Sequence, residues 1–184
     1  MKRKVVCNAS PLIYAAKISI IDLFKKLYNE ILIPPTAYVE VVKKGIEINA
    51  VDAFIVEKGV KDGWIKVTNL TEEAKSEVEI LMKISNISRG EGEVIALAEQ
   101  EDADLVIIDE RVGTLLAKIR GLKVTGLLGV LIEAMYNKLI TFSQLKTYFK
   151  RLLGTEFRLS IKDYEKAMKL AEKVWKKLKH KTFH

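Results

Sequence analysis

The chain has 184 residues, of which 49% are hydrophobic, so it can bury a sizeable core in one domain with a small appendage. Its formal net charge of +7 favours an anionic partner such as nucleic acid, although a lysine- and glutamate-rich chain can equally reflect adaptation to heat. Charged residues interrupt every apolar run before the roughly 20 residues of a membrane helix, which excludes a membrane protein and favours a soluble, cytoplasmic one.

Short apolar segments alternate with amphipathic helices along most of the chain. Strands are predicted at residues 5–7, 31–33, 64–67, 105–108 and 123–125, and the lysine in 64–67 indicates an edge strand. Helices are predicted at 10–17, 20–28, 36–44, 46–58, 71–83, 88–100, 110–120 and 127–136, with Ser10 and Thr36 as N-caps and Gly59 as an end signal. This alternation predicts an α/β fold whose parallel sheet is covered by helices on both faces.

The last part of the chain has a different pattern. Residues 141–153 form an amphipathic helix, and apolar residues then recur from Ile161 to Leu178 at spacings of three and four, opposite a lysine-rich face. Three interpretations remain open: a helix packed on its own domain, a dimer seam, and a basic arm that binds nucleic acid.

Cysteine and histidine usage restricts the chemistry. Cys7 is the only cysteine, which excludes an internal disulfide and a cysteine-rich zinc site and fits a reducing cytoplasm. The only histidines, His180 and His184, lie in the terminal tail, so a serine or cysteine triad or an HExxH zinc site has no base or ligand. Any catalysis must therefore rely on carboxylates. The basic start of the chain is followed by an apolar stretch that polar residues interrupt, so we expect no signal sequence.

Two polar residues come directly after predicted strands. Asn8 follows the first strand and Asp109 follows the fourth, and strands one and four are commonly neighbours in open parallel sheets. Because ligands bind beyond the carboxyl ends of such strands, we expect both side chains to lie at a ligand site. Asp109 has an alternative role as the cap of the helix that follows it.

Acidic residues also occur at the start of one helix and in the middle of another. In the segment 88–98, Glu91 shares a helix face with apolar residues, where a metal ion would be a suitable partner, and Glu93 is a weaker candidate. Ser88 and Glu91 also have the spacing of a capping box, which offers a purely structural role. Glu40, in the predicted helix 36–44, is by itself compatible with a surface ion pair.

These segments together resemble a known family. The residues 5–13 (VVCNASPLI), Ile33-Pro34, 38–41 (YVEV), 90–98 (GEGEVIALA) and 105–111 are similar in order and spacing to PIN domains, and more narrowly to VapC-like predicted nucleic-acid-binding proteins. The resemblance runs from about Val5 to Asn137. It implies a three-layer PIN-like fold with a central parallel sheet of four to five strands. It also implies a domain of residues 1–137 and a helical extension of residues 138–184, packed on the domain or at a dimer interface.

The resemblance also implies a function. In the family, three or four acidic residues hold Mg²⁺ or Mn²⁺ and cut single-stranded RNA, often as the toxin of a toxin–antitoxin pair. An antitoxin protein and a second copy of the chain in a homodimer are therefore expected partners. The catalytic and metal-binding set implied by position is Asn8, Glu40, Glu91 and Asp109, with Glu93 and Glu110 as supporting residues beside the ligands.

One position departs from the family pattern. The family's usual first acidic residue is an aspartate, where this chain has Asn8, and an amide oxygen can ligate a hard cation but adds no charge. The alternative function is therefore a catalytically degenerate PIN-like module that binds RNA or a protein. An oligomeric scaffold built on the C-terminal apolar stripe is a third possibility. The chain has neither the glycine-rich turn of a dinucleotide-binding fold nor a P-loop.

Overall fold

A computed structural model describes residues 3–181, with side chains as far as Lys179. The expectations for residues 1–2 and His184, and for the side chain of His180, lie outside the described residues. The described residues form two compact units, of which the first ends at Leu127 and the second begins at Leu128. The division into a domain of residues 1–137 and an extension of residues 138–184 stays a prediction.

The first unit is built around a five-stranded parallel sheet. The strand order is β3-β2-β1-β4-β5, where the strands are β1 (Val5–Cys7), β2 (Ile31–Ile33), β3 (Ile65–Val67), β4 (Leu105–Ile107) and β5 (Val124–Thr125). The predicted strands, the edge position of β3 and the pairing of strands one and four are thus confirmed.

The helices of the first unit connect and cover these strands. Their bounds are α1 (Ala9–Lys17), α2 (Asp22–Tyr28), α3 (Pro35–Tyr38), α4 (Lys44–Glu47), α5 (Val51–Lys61), α6 (Glu72–Ser85), α7 (Arg89–Gln100) and α8 (Arg111–Ile119). A π-helical turn, Val39–Lys43, joins α3 to α4. The chain is therefore an α/β protein with a parallel sheet flanked by helices, as the alternation of apolar segments predicted.

Both faces of the three central strands, β1, β2 and β4, are buried. Val6 and Val106 belong to a hydrophobic cluster that includes Val94 and Leu97 of α7. Successive side chains of a strand point to opposite faces, so Cys7 and its pairing partner Ile107 point to the face opposite Val6 and Val106. Cys7 is also fully buried. Burial on both sides explains why β1, β2 and β4 contain no charged side chain, whereas the edge strand β3 contains Lys66.

Three local predictions about helix ends were wrong. The N-cap of α1 is Asn8, not Ser10, because the Asn8 side chain accepts the first free backbone N–H. Thr36 lies inside α3, whose N-cap is Pro34. Gly59 lies inside α5, where a methyl group would come within 2.6 Å of Ile65 Cδ1, so close packing against β3 explains this glycine.

The second unit is helical. It contains most of α9 (Leu127–Tyr136), together with α10 (Phe142–Leu153) and α11 (Ile161–Lys181). Thr141 and Gln144 form a capping box at the start of α10, and part of the apolar stripe of α11 is used within the unit, where Tyr164 meets Phe149 edge-on. None of the helices within residues 3–181 combines the length and apolar character that crossing a bilayer requires.

Candidate active site

The candidate site lies where the order of the strands reverses. From β1 the sheet continues to β2 on one side and to β4 on the other. Cys7 pairs with Ile107, and the backbone N–H of Asn8 donates to the carbonyl of Ile107 at 2.9 Å. The residues that follow β1 and β4 therefore meet beyond the carboxyl ends of these strands. This is the position at which open α/β sheets bind ligands.

Asn8 joins a helix start to a carboxylate. Its Oδ1 accepts the backbone N–H of Ala9 at 2.8 Å, and its Nδ2 donates to Oε2 of Glu110 at 3.0 Å. The side chain is buried. These two bonds fix the orientation of the amide, because only the oxygen can accept the N–H and only the nitrogen can donate to the carboxylate.

Asp109 holds a buried oxygen that no hydrogen bond satisfies. Its Oδ1 accepts the backbone N–H of Leu127 at 2.9 Å, at the start of α9. Its Oδ2 is buried and has no hydrogen-bond partner among the described residues. The pKa of Asp109 is raised to about 7, mainly by burial and also by the negative charge of Glu110, while the Leu127 hydrogen bond acts in the opposite direction. A buried carboxylate oxygen without a partner is costly unless a proton or a cation accompanies it.

The alternative role of Asp109 as the cap of the helix that follows it is wrong. Glu110, not Asp109, is the N-cap of α8, and it makes no side-chain capping bond there. Asp109 instead satisfies the first turn of a helix that starts 18 positions later in the chain. One oxygen has this structural role, and the other remains available.

Glu110 and Glu40 extend the acidic cluster. The charge of Glu110 raises the pKa of Glu40, an effect second to desolvation of that carboxylate, while Lys44 lowers it. The Glu40 residue is exposed, and its carboxylate lies near the start of α7, since a methyl group at Gly90 would lie 4.0 Å from Glu40 Oε2. Glu40 lies in the π-helical turn, a feature often found at functional positions.

The thiol of Cys7 lies near the same acidic side chains, and their negative charge affects its pKa. Burial raises the pKa of the Cys7 thiol well above its usual range, and the charges of Asp109 and Glu110 raise it further. Burial and the neighbouring negative charge therefore favour the neutral thiol, the less reactive form of cysteine.

Glu91 forms the capping box at the start of α7. Its Oε2 accepts the backbone N–H of Ser88 at 2.9 Å and the Ser88 hydroxyl at 2.7 Å, which confirms the structural alternative. Its other oxygen faces α8, where a methyl group at Gly113 would come within 2.8 Å of Glu91 Oε1. Glu91 is thus close to the segment that follows Asp109, while its role as a ligand stays a prediction.

Glu93 has a different neighbour. Its Oε2 accepts the backbone N–H of Thr36 at 3.1 Å, at the start of α3. The structure therefore groups Asn8, Glu40, Asp109 and Glu110 by direct contact or electrostatic interaction, whereas the hydrogen bonds of Glu91 and Glu93 go to the starts of α7 and α3.

Comparison with known proteins adds one finding. A family model described as DUF3368, PIN domain, matches residues 4–173. The chain belongs to the PIN-domain family. PIN domains are typically nucleases, so this is a fold of nuclease type. Neither a search of curated proteins nor a search of solved structures gave a match to this PIN domain.

The PIN-domain family implies a divalent ion, and the donor atoms near Asp109 partly fit one. Within residues 3–179, no group of three or more histidine, cysteine, aspartate or glutamate side chains is arranged so that it could hold a metal ion. The chemistry of the donors nevertheless fits a hard cation, because Asp109 has a buried oxygen without a hydrogen bond and Glu110 adds a neighbouring carboxylate. The oxygens of Asn8 and Glu91 that make hydrogen bonds are less available.

Two features of the site had no clear signal in the sequence. Gly126 is required because a methyl group there would overlap Asp109 Oδ1, and the backbone N–H of Leu127 orients the same carboxylate. Glu110, expected to support the ligands, directly contacts Asn8. Its position immediately after Asp109 was the only sequence signal for this role.

Proposed function

We propose that this PIN domain is a divalent-metal-dependent endoribonuclease that acts on single-stranded RNA in the cytoplasm. The observation that carries the proposal is the buried Oδ2 of Asp109, for which the part of the chain that the structure describes offers no hydrogen bond, at the carboxyl ends of the strands where ligands bind. A carboxylate in this position is unfavourable unless it serves to bind something positively charged. The family membership of the chain supports a nuclease over other cation-dependent activities.

The proposed ligands are Asp109 and Glu110, together with Glu40, while Asn8 positions Glu110. Glu91 is a further candidate through its second oxygen, and Glu93 supports the same region through α3. A bound Mg²⁺ or Mn²⁺ supplies positive charge for the phosphate and makes nearby water more acidic.

The protein side chains have separate roles in this mechanism. Asp109 binds through the oxygen that Leu127 does not use. Asn8 holds Glu110 in one orientation through a 3.0 Å hydrogen bond. Glu40 supplies a further carboxylate for the ion. Desolvation and the charge of Glu110 raise its pKa in the metal-free protein, and a bound cation would favour its ionised form.

The direct test is cleavage of single-stranded RNA with Mn²⁺ and with EDTA. Asp109→Asn keeps an oxygen for Leu127 but removes the charge, and should reduce metal-dependent cleavage more than about a hundredfold, since outer partners of a metal ligand alone cost roughly ten- to a hundredfold. The matched control is Asp102→Asn. Asp102 precedes β4, whereas Asp109 follows it, and the positive φ of Asp102 (48°) suits asparagine. Cleavage that persists in EDTA, or that both variants lose equally, contradicts the proposal.

A second candidate is a catalytically degenerate module that binds RNA or a protein. It is favoured by the Asn8–Glu110 hydrogen bond, since an amide donor satisfies a carboxylate that would otherwise need a cation. RNA binding without cleavage in the wild-type protein, and cleavage that appears in Asn8→Asp, would identify this case.

The toxin role and its partners belong to the same proposal. A toxin should arrest growth when it is expressed alone, and a small antitoxin protein should relieve the arrest and co-purify with it. The proposed homodimer is tested by light scattering of the purified chain. If the chain cleaves RNA in vitro but cells that express it strongly continue to grow, the nuclease proposal would stand and the toxin role would be rejected.

A further inference from the structure

Positive charge is concentrated in the second unit. Residues 128–184 contain 13 lysines and arginines against 5 aspartates and glutamates, a formal net charge of +8. Residues 1–127 contain 18 against 19, a formal net charge of −1. The unit that contains the candidate carboxylates therefore contributes none of the excess positive charge of the chain, and an anion that the chain attracts is attracted mainly by the other unit.

Two aromatic rings in the second unit are stacked and flanked by lysines. Phe142 of α10 and Trp175 of α11 stack with their centroids 4.9 Å apart and an interplanar angle of 17°. Lys146 lies 5.1 Å from the centre of the Phe142 ring, and Lys179 lies 4.3 Å from that of Trp175. Each lysine follows its ring by four residues on the same helix, which places the pair on one face. Both rings are partly exposed.

A groove opens beside these rings. It has a volume of about 320 Å³ and is lined by Phe142, Trp175, Leu139 and Ile140, with Lys138 and Gln144 among its polar residues. All of its lining residues belong to the second unit. Apolar and aromatic walls with a few polar groups are typical of a site for a planar ring that carries hydrogen-bonding edges.

We propose that this groove takes an unpaired base of a single-stranded nucleic acid, while Lys146 and Lys179 bind the adjacent phosphates. Aromatic side chains beside basic residues form the usual platform for single strands, because every base has a face that can stack and every nucleotide carries a negative charge. A lysine that covers a ring in the free protein can move to a phosphate as the base approaches. A duplex does not fit, because its bases are already stacked on each other.

The charge of the unit decides between this ligand and a second copy of the chain. Two copies meeting through this surface would bring together two units that each carry +8, whereas a phosphate backbone offsets that charge. The binding needs no divalent ion and no catalysis, so it goes beyond the proposed nuclease. If both hold, binding at this groove and cleavage are properties of different units.

The test uses the full-length protein in EDTA with a single-stranded RNA of about 12 nucleotides, within the range that single-strand binding modules cover. A DNA of the same sequence shows whether the sugar matters. The fluorescence of Trp175 should be quenched by both the RNA and the DNA strand. The other tryptophan, Trp64, is buried in the first unit, so Trp175→Phe should remove the quenching while binding is retained.

Two sets of variants separate stacking from general charge. Phe142→Ala should weaken binding about tenfold, within the range measured for loss of one base–aromatic stack. Lys179→Ala should weaken binding and reduce the slope of log K against log salt by about 0.7, the value for one phosphate contact on a single strand. Lys177→Ala is the matched control, since Lys177 is exposed and lies about 200° around the helix from Lys179. It should have a clearly smaller effect.

Three results would overturn the inference: nucleic acid that leaves Trp175 fluorescence unchanged, equal effects of the Lys177 and Lys179 variants, or binding to vesicles of phosphatidylglycerol without binding to either oligonucleotide. The Lys177 and Lys179 pair carries the test if Phe142→Ala fails to fold by circular dichroism. Cleavage with Mn²⁺ in a protein whose Trp175 does not respond would leave the nuclease in place and reject this site alone.

Discussion

Replacing Asp109 with asparagine should change how the stability of the metal-free protein depends on pH. In the folded protein the pKa of Asp109 is about 7, against an ordinary value of 3.8. The folded state therefore favours the protonated carboxyl. The contribution of Asp109 to the free energy of unfolding is therefore most favourable below about pH 4. It falls as the pH rises towards 7 and changes no further above that pH.

The pKa shift of Asp109 sets how much stability the protein loses as the pH rises. A difference of about three pKa units corresponds to roughly 4 kcal/mol over the whole range, and about 2–3 kcal/mol of it falls between pH 5 and pH 8. Asparagine does not titrate, but its amide nitrogen would occupy the buried place of Oδ2 without a partner. That cost is about 1–3 kcal/mol and does not vary with pH. The wild-type protein should therefore lose stability relative to Asp109→Asn as the pH rises.

The assay is urea denaturation in EDTA at pH 5, 6, 7 and 8, followed by circular dichroism. Glu40 also has a raised pKa, but it is present in both proteins, so the difference between them isolates Asp109. Adding Mn²⁺ at pH 8 should stabilise the wild-type protein and not the variant, because a cation favours the ionised carboxylate. If the free energies of unfolding of the two proteins changed in parallel with pH, the raised pKa of Asp109 would be refuted.

Three further variants test the surroundings of this carboxylate. Asn8→Asp replaces the hydrogen bond to Glu110 by repulsion between two carboxylates, so it should destabilise the metal-free protein by about 1–3 kcal/mol and bind Mn²⁺ more tightly; unchanged affinity by calorimetry would contradict a metal site at this position. Ser88→Ala removes the capping hydroxyl of α7 and should cost about 1 kcal/mol in urea denaturation, and a change below 0.3 kcal/mol on the same scale would mean that the capping box is unimportant. Gly126→Ala should displace the carboxylate of Asp109 and cost about 1–3 kcal/mol, with RNA cleavage lost as well; a fully active variant would show that the close approach is not needed.

Features that depend on residues close together in the sequence could be predicted from the sequence. The capping box of Ser88 and Glu91 was visible because both partners lie within one helical turn. The strand 105–108 was visible as a continuous apolar run, and β4 occupies Leu105–Ile107. Local signals also misled, since Ser10-Pro11 is as good a helix start as Asn8, and a glycine such as Gly59 marks either a helix end or close packing.

Other features depended on residues far apart. Asn8 meets Glu110, which lies 102 positions away, and Asp109 meets Leu127 and Gly126 across another turn of the fold. No spacing rule connects such pairs, because their separation is set by which strands are neighbours in the sheet. The sequence also gave no indication that the two oxygens of Asp109 differ: Oδ1 accepts a hydrogen bond, and Oδ2 has no hydrogen-bond partner within residues 3–179.

The sequence by itself determined the α/β class, the strands, the reliance on carboxylates and the resemblance to PIN domains, because apolar periodicity, residue chemistry and motif order are properties of the chain. The tertiary structure decided which acidic side chains share an environment, which of their oxygens are already used, and that Phe142 and Trp175 stack beside a groove. The physical reason is that burial, desolvation and stacking depend on distances between atoms, and those distances exist only after the chain has folded.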